Sequence, residues 1–224
     1  MHVSLVGSEM CIRDSNMNTK ILKYSKNSIQ IMKRSLLNGD VAIIPTDTVY
    51  GIAALAKNKK AVDKVFRIKK RPKSMPLIIF VKSLNDAKKI AHFSKLDIKL
   101  AKHFWPGSLT LILNKKTKNI YYGDRRLKKI GVRIPNNKVV TALLNAVKNP
   151  LATTSANIHN EANVKNISNL SILRNKDLKS AIEDRKNMSF TESTIIATHE
   201  NNFNILRKGK VKISEIRKVV KDEN

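Results

Sequence analysis

Apolar residues recur along the chain in two alternating periods. Ile29, Met32, Leu36 and Leu37 fall at helical spacing over residues 28–37, with Ser28 ahead and Gly39 behind as cap signals. Val41–Ile44 is a short apolar run stopped by Pro45, the pattern of a buried strand. Ala61, Val62, Val65 and Ile68 form the next helical stripe, with Asn58 placed to cap it. Leu77–Val81 predicts a strand. Residues 83–93 predict a helix with Ser83 and Asp86 in a capping-box arrangement, and a second helix runs on to His103. Further strands are predicted at 109–113, 130–134 and 151–154, with a helix over 136–147. Late strands at 193–198 and 203–206 precede a closing helix over 213–220. This alternation makes the class α/β. Residues 119–128 read as a basic loop, and residues 158–190 are too polar and aperiodic to assign. No internal repeat is visible.

Composition narrows the class. A chain of 224 residues suits one domain and hides roughly 70% of its unfolded surface on folding. The longest apolar runs have about five residues, whereas a membrane-spanning helix needs about 20. Cys11 is the single cysteine, which excludes an intrachain disulfide and a cysteine-based zinc site. The five histidines show no metal-ligand spacing. Met1–Ser15 lacks both a signal-peptide pattern and the Lys/Asn/Ile style of the remainder. It resembles read-through of sequencing-adapter DNA, so residues 1–16 are expected to be a non-native leader and 17–224 the single domain. Without Cys11 the chain suits a reducing cytoplasm.

The charge complicates the picture. Lys and Arg total 44 against 17 Asp and Glu, a net charge of +27 and a pI near 10.3. A polyanionic partner follows from that field. So does the plainer reading, that 33 Lys dispersed among many Asn and Ile reflect an AT-rich genome.

Four short segments carry candidate chemistry. Pro45–Gly51 puts Thr46, Asp47 and Thr48 at the end of a buried strand, where α/β sheets place ligands; a plain turn would use the same residues. Lys69 and Arg71 stand two apart before Pro72 and could hold phosphates, or could simply favour a helix C-terminus. Arg133 lies within an apolar strand, and a buried Arg needs an anion. With Asp and Glu scarce nearby, a ligand carboxylate or phosphate is one partner; an exposed edge position is the alternative. Thr153–Asn157 follows a strand with hydroxyls and an amide suited to phosphate, or to capping a helix. Ser193, Thr194 and Arg207 add polar groups near strand ends.

The order of these segments is more specific than any one of them. PTDTVYGI, KKRP with SMPL, FWPGSLTLIL, GVRIP, PLATTSAN, ESTII and ILRKGK together resemble the YrdC/TsaC family of threonylcarbamoyl-adenylate synthases, from about Gly39 to Lys210. The resemblance, to the single-domain form, implies a YrdC-like twisted mixed sheet with helices around a large basic cavity. It implies a reaction joining L-threonine, bicarbonate or CO2, and ATP into threonylcarbamoyl-AMP and pyrophosphate, with Mg2+ accompanying the ATP. It implies delivery to a TsaD-type transferase complex that modifies ANN-decoding tRNAs. Because the Lys are dispersed and form no grouped reading surface, tRNA itself is expected to be contacted weakly or indirectly. By motif, Thr48, Arg133, Thr153 and Ser193 match threonine-contacting positions. Lys69 and Arg71 match the catalytic pair at the phosphates. Ser155, Asn157 and Arg207 match nucleotide contacts, and Asn163 stands where a further nucleotide-contacting Ser of the family would fall. The chain departs from the pattern at Ser108 and after Asn157, where Ile158-His159-Asn160 follows. Two other readings stand beside this one: a non-catalytic RNA-binding module of the same fold, and a carbamoyl-adenylate enzyme of the hydrogenase-maturation kind.

Overall fold

The computed structural model describes residues 19–158, 164–186 and 188–221. The expected leader, His159 and Asn163 lie outside the described residues. In chain order the first half forms β1 (Lys20–Lys23), α1 (Lys26–Leu37), β2 (Val41–Ile44), β3 (Gly51–Leu55), α2 (Lys59–Lys69), β4 (Ile78–Phe80), α3 (Leu84–Ile90), β5 (Ala91–His92) and α4 (Lys95–Phe104). The second half forms β6 (Leu109–Lys115), β7 (Lys129–Arg133), α5 (Lys138–Val147), β8 (Leu151–Ser155), two short 3-10 turns, β9 (Leu178–Glu183), β10 (Thr194–His199), β11 (Asn202–Arg207) and α6 (Ile213–Lys221).

Among the described residues all the strands join one mixed sheet, in the order β1-β9-β2-β3-β8-β4-β7-β6-β10-β11, with β5 paired to β6. One face carries α1 and α5: Met32, Leu36, Val140 and Leu143 pack on Ala42, Ile44, Ala53, Leu55, Phe80 and Leu151. The opposite face carries α2, α3, α4 and α6 on Ile43, Ile52, Ala54, Ile79, Leu111 and Val132. Register decides what happens to the remainder of the first face. Gly51 pairs with Ser155, Ala53 with Thr153 and Leu55 with Leu151. Thr153 pairs with Ile78, and Ile78 with Gly131. Paired residues share a face, so Ser155, Thr153, Ile78 and Gly131 continue the surface that α1 and α5 cover elsewhere. Small and hydroxyl-bearing side chains leave that part of the sheet hollow.

Four strands differ from the sequence-based expectation: β1 lies ahead of the first predicted element, β5 falls inside the helix predicted over 83–93, and β3 and β9 lie in unassigned stretches. β3 was unassigned, although it runs through the middle of the sheet. All five of its residues are buried, on both faces, so Gly51-Ile52-Ala53-Ala54-Leu55 shows no alternation to read. β9 lies within the polar, aperiodic stretch 158–190 that periodicity leaves unassigned. It runs parallel between β1 and β2, with Lys179 exposed while Leu178, Ser180 and Ala181 are buried. At α1 the cap is Ser25; Ser28 sits three residues on, each serine accepting the other's backbone N–H. The capping roles read for Asn58 and Ser83 hold.

The helix-covered core supplies the first prediction. Leu36 is fully buried between α1 and the sheet, so Leu36→Ala should lower unfolding free energy by about 2–5 kcal/mol, measured by urea titration. A second concerns Tyr122, whose hydroxyl donates to the carbonyls of Leu127 (3.1 Å) and Lys129 (2.9 Å) and anchors the basic loop. Burial pushes its pKa up to about 12 from 10.0. The folded state therefore favours the protonated phenol. That contribution is intact below pH 10 and drains away as pH rises towards 12. Tyr122→Phe should show a shallower fall in stability than wild type across that window, followed by chemical denaturation at stepped pH.

Candidate active site

The hollow of the sheet is a cleft of about 120 Å3. Thr46, Thr48, Gly51, Arg71, Phe80, Arg133, Thr153, Ser155, Glu192, Ser193 and Arg207 are among the residues lining it. Pockets that take drug-sized ligands run to roughly 300–1,000 Å3. The volume among the described residues suits a ligand the size of an amino acid.

The turn after β2 builds one wall. The Thr46 hydroxyl accepts the backbone N–H of Thr48 (3.0 Å) and Val49 (3.2 Å) and donates to the Val49 carbonyl (2.7 Å). This lays the Thr48 hydroxyl 2.9 Å from that of Thr46. Arg133, at the end of β7, reaches the same turn: Nη1 donates to the Thr48 hydroxyl (3.1 Å) and Nη2 to Asp47 Oδ1 (2.6 Å), while Nε donates to the Gly107 carbonyl (2.8 Å). Ser108 donates to the other Asp47 oxygen at 2.8 Å. Arg133 is 2% exposed and Asp47 8%, so this is a buried ion pair.

This corrects the expectation that Arg133 lacks a protein acid nearby and waits for a ligand. Asp47, 86 residues away in sequence, supplies the anion. Three of the five guanidinium N–H groups are engaged, and Arg133 is also one of the residues lining the cleft. Burial lowers its pKa, Asp47 opposes that shift, and the charge of Arg207 adds to it.

Lys69 is the last residue of α2, and a left-handed Lys70 (φ 50°) turns the chain away behind it. Its ammonium is buried against the turn after β8. It donates to the Ser155 carbonyl (2.5 Å), to the Asn157 carbonyl, and to Asn157 Oδ1 (3.2 Å), with the Ser155 hydroxyl at 3.4 Å. Its charge therefore holds the turn together at the end where the nucleotide is expected. Arg71 differs. Its Nε donates to the Met75 carbonyl (2.8 Å), and its Nη2 makes a long contact to the Pro76 carbonyl (3.4 Å). Burial and the neighbouring Arg207 lower its pKa, and Glu192 acts the other way. Among the described residues no carboxylate bonds to Arg71, which makes it the cleft cation most open to an anion.

The opposite wall comes from β10 and β11. Arg207 donates from Nε to the Ser193 carbonyl (3.0 Å) and from Nη2 to the Ser193 hydroxyl (3.0 Å), and its Nη1 pairs with Glu192 Oε2 at 2.9 Å. The Ser193 hydroxyl lies 2.9 Å from that of Thr110 on β6. Burial lowers the Arg207 pKa, against Glu192. Gly209 allows this wall to close, because a Cβ there would collide with the Glu192 carbonyl.

Seven residues singled out from sequence line one cleft: Thr48, Arg71, Arg133, Thr153, Ser155, Ser193 and Arg207. Lys69 and Asn157 stand just behind Ser155. One participant, Glu192, escapes the sequence reading, although a carboxylate beside Ser193 in a basic motif is a visible signal; Asp47 is among the candidates at the end of β2, and its pairing with Arg133 is what only the fold shows. Among the described residues no group of three or more His, Cys, Asp or Glu could hold a metal ion.

Residues 34–209 match the family of Sua5, YciO and YrdC, described as telomere recombination. A Methanocaldococcus jannaschii protein provisionally named threonylcarbamoyl-AMP synthase is 35% identical over 85% of this chain and 90% of its own length. A Pyrococcus abyssi threonylcarbamoyl-AMP synthase is 31% identical over 86% of the chain, which spans only 57% of that protein. The crystal structure of Pyrococcus abyssi Sua5 complexed with L-threonine superposes with a TM-score of 0.80 at 29% identity, covering 90% of this chain and 59% of that one. Escherichia coli YciO, at 18% identity and a TM-score of 0.77, shares the fold over 88% of this chain and 99% of its own. With the family match running through both walls of the cleft, the chain belongs to the Sua5/YciO/YrdC family.

Proposed function

We propose that the chain is an L-threonylcarbamoyladenylate synthase, making threonylcarbamoyl-AMP and pyrophosphate from L-threonine, bicarbonate or CO2, and MgATP. The observation that carries the reading is one cleft holding Arg71, Arg133 and Arg207 among the hydroxyls of Thr48, Thr153 and Ser193. The names of the relatives and the threonine complex of the Pyrococcus abyssi protein support it. All reacting groups are anionic, so the chemistry needs oriented donors more than a nucleophilic side chain. The threonine amine adds to CO2, an oxygen of the resulting carbamate attacks the α-phosphorus, and the bond to the β-phosphate breaks to release pyrophosphate. Arg71 and Arg207 stabilise charge developing on the phosphates. Arg133 orients the Thr48 hydroxyl and presents its remaining N–H groups to the amino acid. Lys69 keeps Ser155 and Asn157 in place for the nucleotide. Mg2+ enters as part of MgATP and shields its phosphates.

The product is a reactive mixed anhydride, so a transferase must consume it. We assign that step to a TsaD-type complex acting on an adenosine of ANN-decoding tRNA, with tRNA touching this chain weakly or indirectly, and we place the reaction in the cytoplasm. No described helix is long and apolar enough to cross a membrane.

Pyrophosphate release by the purified protein should require threonine and bicarbonate together; equal release with ATP alone would sink the reading. Arg71→Ala should lower kcat roughly 100-fold, since one preorganised donor is worth about 2–4 kcal/mol in such sites. Arg133→Ala should behave differently. It strands Asp47 in the interior, so it should cost about 3–5 kcal/mol of folding stability while also raising the threonine KM. Calorimetric melting beside steady-state kinetics separates the two variants.

A further inference from the structure

We propose that Glu192 receives the ammonium group of the amino-acid substrate, and that its pairing with Arg207 lets the site follow the change of charge at that nitrogen. This rests on the synthase reading and adds a residue to it. An amino acid enters as a zwitterion and needs a cation for one end and an anion for the other. The cleft offers three arginines, and among its described lining residues Glu192 is the sole acid. Asp47 is buried behind Arg133 with both oxygens taken, so it cannot serve.

Glu192 is differently placed. Its side chain is 32% exposed, and its Oε2 holds Arg207 at 2.9 Å. Among the described residues no bond is made to its Oε1. Its backbone is fixed independently of the side chain, because the Glu192 carbonyl accepts the N–H of Lys210 at 2.8 Å. The carboxylate is thus aimed by a rigid wall yet keeps capacity for a second cation.

The reaction makes that arrangement useful. As the ammonium reacts with CO2, a nitrogen–carbon bond forms and two protons leave to water, turning a positive group into a carbamate anion. Glu192 favours the first state and repels the second, while Arg207 beside it favours the second. One ion pair therefore serves both ends of the step, with no movement larger than a side-chain exchange of partners.

Calorimetric titration of wild type and Glu192→Gln with L-threonine, with 3-hydroxybutyrate (threonine without its amine) and with ATP tests this. A lost charge-assisted hydrogen bond corresponds to about 10- to 100-fold in affinity. Glu192→Gln should lose that factor for threonine, be unchanged for 3-hydroxybutyrate, and bind ATP as tightly or more tightly because Arg207 is no longer neutralised. Glu192→Asp should recover part of the threonine affinity. An equal loss for all three ligands, or none for threonine, overturns the proposal. Should the variant not fold, wild type decides alone: it should bind threonine at least about 10-fold more tightly than 3-hydroxybutyrate, and equal affinities overturn the proposal. Failure of wild type to bind threonine at all would instead strike the synthase reading itself.

Discussion

The buried pair between Arg133 and Asp47 holds the site together. Arg133 ends a central strand, Asp47 sits in the turn after β2, and the loop carrying Gly107 and Ser108 bonds to both. Three segments distant in sequence are locked by one guanidinium and one carboxylate. A buried charge without a partner is costly, so each member requires the other. That loop is itself pinned: Trp105 donates its indole N–H to the Leu109 carbonyl (2.7 Å), Gly107 N–H bonds to Ile134, and the Ser108 carbonyl accepts from Thr194. Gly107 is needed because a Cβ would collide with the Phe104 carbonyl. The threonine turn, the arginine and the β10 wall are consequently positioned as one unit.

A site for anions must hold like charges close together before its ligands arrive. Here each cation is restrained in a different way. Arg133 has Asp47, Arg207 has Glu192, and Lys69 has carbonyl oxygens of the turn after β8. Arg71 makes only backbone contacts among the bonds described for it. The repulsion is spread over internal partners, which leaves the cleft preorganised and its strongest unmet demand at Arg71. Mutual proximity is felt nonetheless: Arg207 lowers the pKa of both Arg71 and Arg133.

Chain periodicity and short-range chemistry determined a great deal. Helical stripes, caps at Asn58 and Ser83, and the α/β alternation were legible, because they depend on neighbours three or four residues away. The motif residues were legible too, since hydroxyls and cations at strand ends stand out from apolar surroundings. Only the tertiary structure decided the rest. β3 is buried on both faces and therefore carries no alternation, and β9 is polar because Lys179 faces solvent while its neighbours pack inside. The partner of Arg133 lies 86 residues away, the ammonium of Lys69 turns inward to a loop formed more than 80 residues later, and Glu192 becomes a cleft residue only when β10 pairs with β6. Such contacts follow from how the sheet is ordered and curved, and a charge acquires its role from whatever that packing brings within about 4 Å of it.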